Sequence, residues 1–292
     1  MPAQATIGVL SPGAMGSALA RVWERGGARV VSTVAGRSLR TQALAAGLEL
    51  LAGLVEVVEL ADIVVSVGPP ERAVEFAAAI ASACRTADRH PLVADLNAIS
   101  PQTVELVAAE LDPAGCELLD GSISGGPPTP DTRTVLYLSG PSAERLASFS
   151  AAGLRTRIVG SSPGVASALK MCTASVYKGF TGLLLQALLT ADSYGLADLV
   201  LADLGDSFGG SAAGAPARLA LAASKSDRYP AEMREISRTQ REAGVGGELF
   251  AAMAEVFERL AATDLATLSP EEAARVSDLG EVLARAAHKS LR

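Results

Sequence analysis

The sequence predicts an α/β protein, a doubly wound parallel sheet in the N-terminal half followed by an all-helical C-terminal domain. Three observations lead there. Over the first 161 residues, short β-branched runs alternate with helical stretches at the spacing of βαβ units. After Ser161 the strand-like runs stop and Ala/Leu-rich helical segments take over. At 292 residues the chain also exceeds the usual domain of about 100–150 residues, which favours two domains. We therefore expect an N-terminal domain over 1–161 and a C-terminal domain over 162–292.

Each element has its own signal. Thr6–Leu10, Arg29–Val34, Asp62–Val67, Leu92–Leu96, Leu118–Ile123, Val135–Leu138 and Arg155–Gly160 are short runs rich in β-branched and aliphatic residues, and read as strands. Between the earlier ones lie Ala14–Arg25, Ser38–Ala46, Pro70–Ala83 and Pro101–Leu111. These have helical periodicity and end signals such as Gly26-Gly27 and Gly47. Pro163 suits the first turn of a long helix that runs to about Gly195. Later helices are broken at Gly205, Gly209-Gly210, Gly214-Ala215-Pro216, Pro230 and Gly244.

Composition narrows the chemistry. The only histidines are His90, beside Pro91 ahead of a strand, and His288 near the end, so a multi-histidine metal site or a histidine triad is hard to build. Chemistry then rests on Lys, Tyr, Ser, Asp or a bound cofactor. With 49% hydrophobic and 20% charged residues and a mean hydropathy of +0.30, the chain packs cores and is not disordered. A net charge of −7 with 4% aromatics argues against nucleic-acid binding. Cys84, Cys116 and Cys172 are odd in number and lack CxxC spacing, as expected of reduced thiols in a cytoplasmic protein. The N-terminus has no cationic leader pattern, and no run reaches the about 18–20 apolar residues of a membrane helix.

Directly after the first strand comes Ser11-Pro12-Gly13-Ala14-Met15-Gly16. This is the G-x-G-x-x-G dinucleotide fingerprint of a Rossmann-like domain, with Ser11 in the first glycine position. Gly13 lets the backbone approach a pyrophosphate at the helix N-terminus, and Gly16 lets the helix pack on the sheet. The end of the second strand discriminates between cofactors, because a carboxylate there binds the ribose 2′-OH of NAD. No acid occurs between Glu24 and Glu49, whereas Arg37, Ser38 and Arg40 can hold a 2′-phosphate, so NADP (NADPH) is expected.

Further ordered motifs carry a resemblance. They are Gly8-Val9-Leu10-Ser11-Pro12-Gly13-Ala14-Met15-Gly16, the loop Val67-Gly68-Pro69-Pro70, Asn97-Ala98-Ile99-Ser100-Pro101, Asp120-Gly121-Ser122-Ile123-Ser124-Gly125-Gly126, and Gly164 through Lys170. In order and spacing they resemble the β-hydroxyacid dehydrogenases, relatives of 6-phosphogluconate dehydrogenase, along most of the chain. The resemblance implies that Val67, Gly68, Pro69 and Asn97 line the cofactor, and that Ser122, Ser124, Gly125 and Gly126 hold the substrate carboxylate. It also implies that Lys170 is the general base in alcohol oxidation and the general acid in carbonyl reduction, working in an interdomain cleft. The C-terminal helices would form a homodimer.

Departures from the family pattern matter as much. The asparagine common four residues after the lysine is Ala174, beside Thr173, and a glutamate seven residues after it is Tyr177. Seven residues make nearly two helical turns, so Tyr177 shares the Lys170 face and is either a proton donor or a packing residue. Lys178 reads as a helix-surface lysine, with a substrate or partner contact as the other reading. Arg228-Tyr229-Pro230-Ala231-Glu232-Met233 falls where relatives carry K-D-L; Glu232 takes the acid's place, and Arg228 or Arg234 could replace the missing lysine. The expected activity is NADP-dependent hydride transfer with a small hydroxyacid or carbonyl substrate. Two alternatives stay open, an imine reductase-like enzyme using Tyr177 and a non-catalytic NADPH-binding sensor or scaffold.

Overall fold

The computed structural model describes residues 4–10, 12–207 and 214–287. Ser11, Gly209-Gly210 and His288 lie outside the described residues. The chain runs through β1 (Thr6–Val9), α1 (Ala14–Arg25), β2 (Arg29–Ser32), α2 (Leu39–Leu44), β3 (Glu49–Leu50), α3 (Leu54–Leu60), β4 (Ile63–Ser66), α4 (Ala73–Ala87), β5 (Leu92–Asp95), α5 (Pro101–Leu111), β6 (Leu118–Ser124), β7 (Thr134–Ser139), α6 (Ala143–Ala147) and β8 (Leu154–Gly160). The eight strands form one sheet in the order β3-β2-β1-β4-β5-β6-β7-β8. After β3 the chain crosses back, so strand order reverses between β1 and β4.

Both faces of the sheet are covered, which is why its strands read as nearly continuous apolar runs. Ile63, Val65, Leu92 and Ala94 point into one core with Leu19, Val22 and Trp23 of α1 and Leu146 of α6. Val64 and Val93 point into the other, against Val58 of α3, Phe76 and Ile80 of α4, and Val104 and Val107 of α5. Strand β3 and helix α3 are additions to the expected elements. The first is only two exposed residues, and the second, LVEVVEL, is a seven-residue run whose valines imitate a strand. Helix α4 follows a 3-10 turn at Pro70–Arg72 and extends past Ala83 to a left-handed cap at Asp88 (φ 51°).

The sheet is not wholly parallel: β7 runs antiparallel to β6. The link between them, residues 125–133, is too short for the crossover of a dozen or more residues that parallel neighbours need. The link from β7 to β8 is longer, contains α6, and restores parallel pairing. The starts of β7 and β8 therefore lie at the same sheet edge as the carboxyl ends of β1 to β6.

Helix α7 (Val165–Asp192) is fastened at its start. Asp120, fully buried on β6, accepts from Gly164 N (2.9 Å), Ser167 N (3.0 Å), Ser167 Oγ (2.6 Å) and Ser139 Oγ (2.9 Å). Its carboxylate thus caps a helix whose first turn offers unpaired N–H groups and the positive end of a dipole. Ser139 Oγ in turn accepts from Ala166 N (2.9 Å), and Ser122 Oγ donates to the Ala166 carbonyl (2.7 Å). Gly164, at φ +97°, makes the turn into the helix.

The chain divides into two compact units, Met1–Met171 and Cys172–Arg292. The first unit reaches past the expected edge at residue 161 because these bonds tie the opening turns of α7 to the sheet. The second unit continues α7 and holds α8 (Ala197–Ser207), α9 (Ala215–Ala223), α10 (Tyr229–Glu242), α11 (Glu248–Ala261), α12 (Pro270–Ala273) and α13 (Leu279–Ala286), with no strand among its described residues. Phe250, Met253 and Phe257 of α11 lie in its interior. Gly182 allows α7 to approach closely, since a Cβ there would stand 2.1 Å from the Met253 sulfur.

Replacing Asp120 by Ala leaves four buried donors without their acceptor, and we expect a loss of about 3 kcal/mol or more in the stability of the first unit. Urea unfolding followed by the fluorescence of Trp23, the single tryptophan and fully buried in this unit, measures it. A change below about 1 kcal/mol would show that the cap is dispensable.

Candidate cofactor and catalytic site

Strand order reverses between β1 and β4, and in open α/β sheets ligands bind at the carboxyl ends of the strands at such a reversal. The loop from β1 into α1 borders it. The Pro12 carbonyl is held by Ser17 Oγ (2.5 Å), and Gly13 begins the helix with no side chain capping it. A Cβ on Gly13 would meet nothing within 4 Å, and no acid occupies the first turn of α1. The helix N-terminus therefore offers its free N–H groups to open space, as an anion seat requires. Ala14 is exposed beside it, Met15 packs half-buried on the core, and Gly16 is buried.

Across the reversal, Val67 and Gly68 are half-buried and Pro69 is exposed. Asn97 braces this loop. Its Oδ1 accepts from Gly68 N (2.6 Å), while its Nδ2 donates to Ser66 Oγ (3.0 Å) and Asp95 Oδ2 (2.7 Å). With its buried amide engaged in this way, Asn97 positions the Gly68 loop. Asp95 is itself buried, and desolvation pushes its carboxyl up to about 7, against the lowering effect of its hydrogen bonds to Asn97.

Arg37 follows β2. Its guanidinium carbon lies 5.6 Å from the centroid of the Phe76 ring, which Arg72 also covers at 4.6 Å. Its Nε is buried without a hydrogen-bond partner. Burial and then the Arg72 charge lower its affinity for its proton, while Arg72 has its own carboxylate in Glu75. A cation held next to another cation, with an orphaned donor, suits a phosphate. Ser38 caps α2 by accepting from Thr41 N (3.3 Å), and Arg40 is exposed. Sequence reasoning missed Arg72 and Phe76; the cation in Pro70-Glu71-Arg72 was the available signal.

At the end of β6, Lys170 Nζ donates to the Ile123 carbonyl at 2.7 Å. That carbonyl adjoins Ser124, which is half-buried and makes no side-chain hydrogen bond among the described residues, and then exposed Gly125 and Gly126. Gly125 takes φ +115°, and the Gly126 carbonyl is held by Thr134 Oγ1 (2.8 Å). The first unit thus brings Lys170, Ser124 and the diglycine together. Ser122 is a correction: it is 1% exposed, and its hydroxyl holds the Ala166 carbonyl, so it positions α7 and lies out of reach of substrate.

The remaining predicted residues belong to the second unit. Thr173 and Tyr177 are exposed, the latter at 71%, whereas Ala174 is buried. Lys178 is no surface lysine: its side chain is largely buried in an ion pair with Glu232 of α10. Arg228 approaches the same Glu232 at 3.7 Å, and Arg234 pairs with Glu258 on the surface. His90 Nδ1 bonds to the Ala114 carbonyl at 2.7 Å, a structural contact. Among the described residues, no group of three His, Cys, Asp or Glu could hold a metal ion, and no helix is long and apolar enough to cross a membrane.

Residues 6–152, half the chain, match the family of the NAD binding domain of 6-phosphogluconate dehydrogenase, and residues 191–260 match a domain of unknown function. A conserved protein of unknown function, reported for its structural similarity with 3-hydroxyacid dehydrogenases, shares 26% identity at a TM-score of 0.65, over 87% of this chain and 96% of that one. The 3-hydroxyisobutyrate dehydrogenase of Mycobacterium tuberculosis, solved with L-serine, shares 19% identity at TM-score 0.66, over 93% of this chain and 98% of its own. An imine reductase from Myxococcus stipitatus, a V8 variant in complex with NAD+, shares 19% identity at TM-score 0.55, over 97% and 99%. The last two establish a common fold only. No curated protein matches the chain significantly. The sheet and its reversal between β1 and β4 accord with these matches, and the chain belongs to the β-hydroxyacid dehydrogenase-like superfamily of NAD(P)-dependent oxidoreductases.

Proposed function

We propose that the protein interconverts a small hydroxyacid and its carbonyl counterpart with NADP, Lys170 carrying the proton. The residues present fit the cofactor: the open, uncapped Gly13 turn suits a pyrophosphate, and Arg37 with its orphaned Nε suits a 2′-phosphate. When bound, the nicotinamide supplies the hydride acceptor in oxidation and the donor in reduction.

The chain's own work is orientation and proton transfer. In oxidation, a neutral Lys170 amine takes the substrate hydroxyl proton as the carbon gives up its hydride; in reduction, the ammonium returns that proton to the carbonyl oxygen. The single observation that carries this reading is the 2.7 Å bond from Lys170 Nζ to the Ile123 carbonyl. It sets the amine beside Ser124, whose hydroxyl, with the Gly125 and Gly126 N–H groups, suits a substrate carboxylate.

A second reading, reduction of an imine with Tyr177 as donor, is favoured by the exposure of that phenol on α7. The protein is also proposed to form a homodimer through its C-terminal helices. Val176, Leu183, Tyr194, Leu196 and Leu199 are exposed on α7, on α8 and in the link between them, and α8 buries none of its residues.

Three outcomes test these readings. Lys170→Met should lower kcat for carbonyl reduction by roughly 10²–10⁴-fold with NADPH affinity unchanged. Reduction that survives Lys170→Met and collapses in Tyr177→Phe would transfer the role to the phenol. Arg37→Ala should weaken NADPH about tenfold or more in direct titration while sparing NADH; equal effects on both remove the 2′-phosphate role. Leu199→Asp should shift the species seen by light scattering from dimer to monomer, and a monomeric wild-type protein sinks the dimer.

A further inference from the structure

We infer that the second unit carries a binding pocket of its own for a small organic carboxylate, with Lys225 and Arg218 as its cationic end. The inference goes beyond the hydride-transfer reading and needs neither cofactor nor Lys170.

Residues of α7, α9 and the start of α10 line an open cavity of about 440 Å³, within the range of small-molecule sites. No Asp or Glu lines it, while Lys178, Arg218 and Lys225 all do. Their charges are not equally met. Lys178 has Glu232, and its Nζ also lies 4.4 Å from the centroid of the Tyr229 ring. Arg218 lies 5.1 Å over the Phe180 ring and forms no ion pair among the described residues. Lys225 is half-buried, likewise without an ion pair among the described residues. Burial and the nearby Arg228 charge hold its ammonium below the usual lysine range. Glu232 cannot serve both, because it already receives Lys178 and Arg228. Two cations thus face one cavity without an acidic partner there, an arrangement that an incoming anion relieves.

The rest of the lining describes the ligand's body. Ala217, Leu221 and Ala222 present an apolar face of α9. The phenols of Tyr177 and Tyr229 also reach the cavity, and neither hydroxyl makes a hydrogen bond among the described residues. Tyr229 is held in place by Phe257, edge-on at 5.1 Å. Apolar contact on one side with cations and phenolic donors on the other fits a carboxylate on a short aliphatic or aryl group better than a bare inorganic ion or a sugar.

Calorimetric titration of the full chain with hexanoate and with its uncharged counterpart hexanamide tests this without any turnover. We expect hexanoate to bind at least about tenfold more tightly than hexanamide. Lys225→Met should remove that preference, Lys225→Arg should keep it, and Ala217→Phe should exclude both compounds by filling the cavity. Lys170→Met should leave hexanoate binding unchanged, so a failure of the hydride-transfer mechanism and a failure of the pocket are read separately. Equal affinity for acid and amide in the wild-type protein, or hexanoate binding that survives both Lys225→Met and Ala217→Phe, overturns the inference.

Discussion

The buried carboxylate of Asp120 is the constraint on which the candidate active site depends. It stands on a central strand and accepts four hydrogen bonds, three of them from Gly164 and Ser167 at the start of α7 and one from Ser139. A negative charge in the interior is tolerable only with such compensation. The helix N-terminus supplies it, and in return the helix loses its freedom to tilt or slide at that end. Lys170 lies six residues beyond Gly164. Its reach to the Ile123 carbonyl therefore follows from the cap: strand, helix and amine are set by one ion placed where two elements meet.

Much of this was legible in the residues. Helices Ala14–Arg25 and Pro101–Leu111 begin and end where periodicity and their end signals put them. Gly13 lies in the turn after β1 and Arg37 in the loop after β2, as the order of the elements in the residues suggests. Other features left no readable trace. The acceptor of Lys170 is a main-chain carbonyl, which no side-chain motif encodes. Ser122 reads as a substrate hydroxyl, yet its partner is another backbone oxygen, that of Ala166. Lys178 reads as a surface lysine because its partner Glu232 is far away in sequence and meets it only when α7 and α10 pack. The reversal at β7 was readable in principle from the shortness of the link before it.

Positive charge is handled in two ways across the molecule. On the surface, Arg29 with Glu49 and Arg72 with Glu75 are paired locally, and such pairs add little to stability. Arg218 and Lys225 instead rest over a ring or in a partly buried place with no ion pair among the described residues, and Arg37 lies by the Phe76 ring with only the more distant charge of Glu75. Cations kept in this state disfavour the free protein slightly, and the free energy withheld there becomes available when an anion arrives.

The register of the sheet puts Asp95 of β5 directly opposite Asp120 of β6. Asp120 has its four donors, whereas Asp95 suffers desolvation and feels its neighbour's charge, and its carboxyl rises to about 7. Because that value lies above the ordinary aspartate range, the folded chain holds this proton more firmly than the unfolded chain does. The sign follows directly: the contribution is complete in acid and is lost as pH climbs from about 4 towards about 7. Asp95 accepts from Asn97, and Asn97 holds Gly68, so this carboxyl lies two hydrogen bonds from the Gly68 loop. Once ionised, Asp95 is the stronger acceptor for Asn97, so the brace on Gly68 outlasts the proton while the buried charge costs stability.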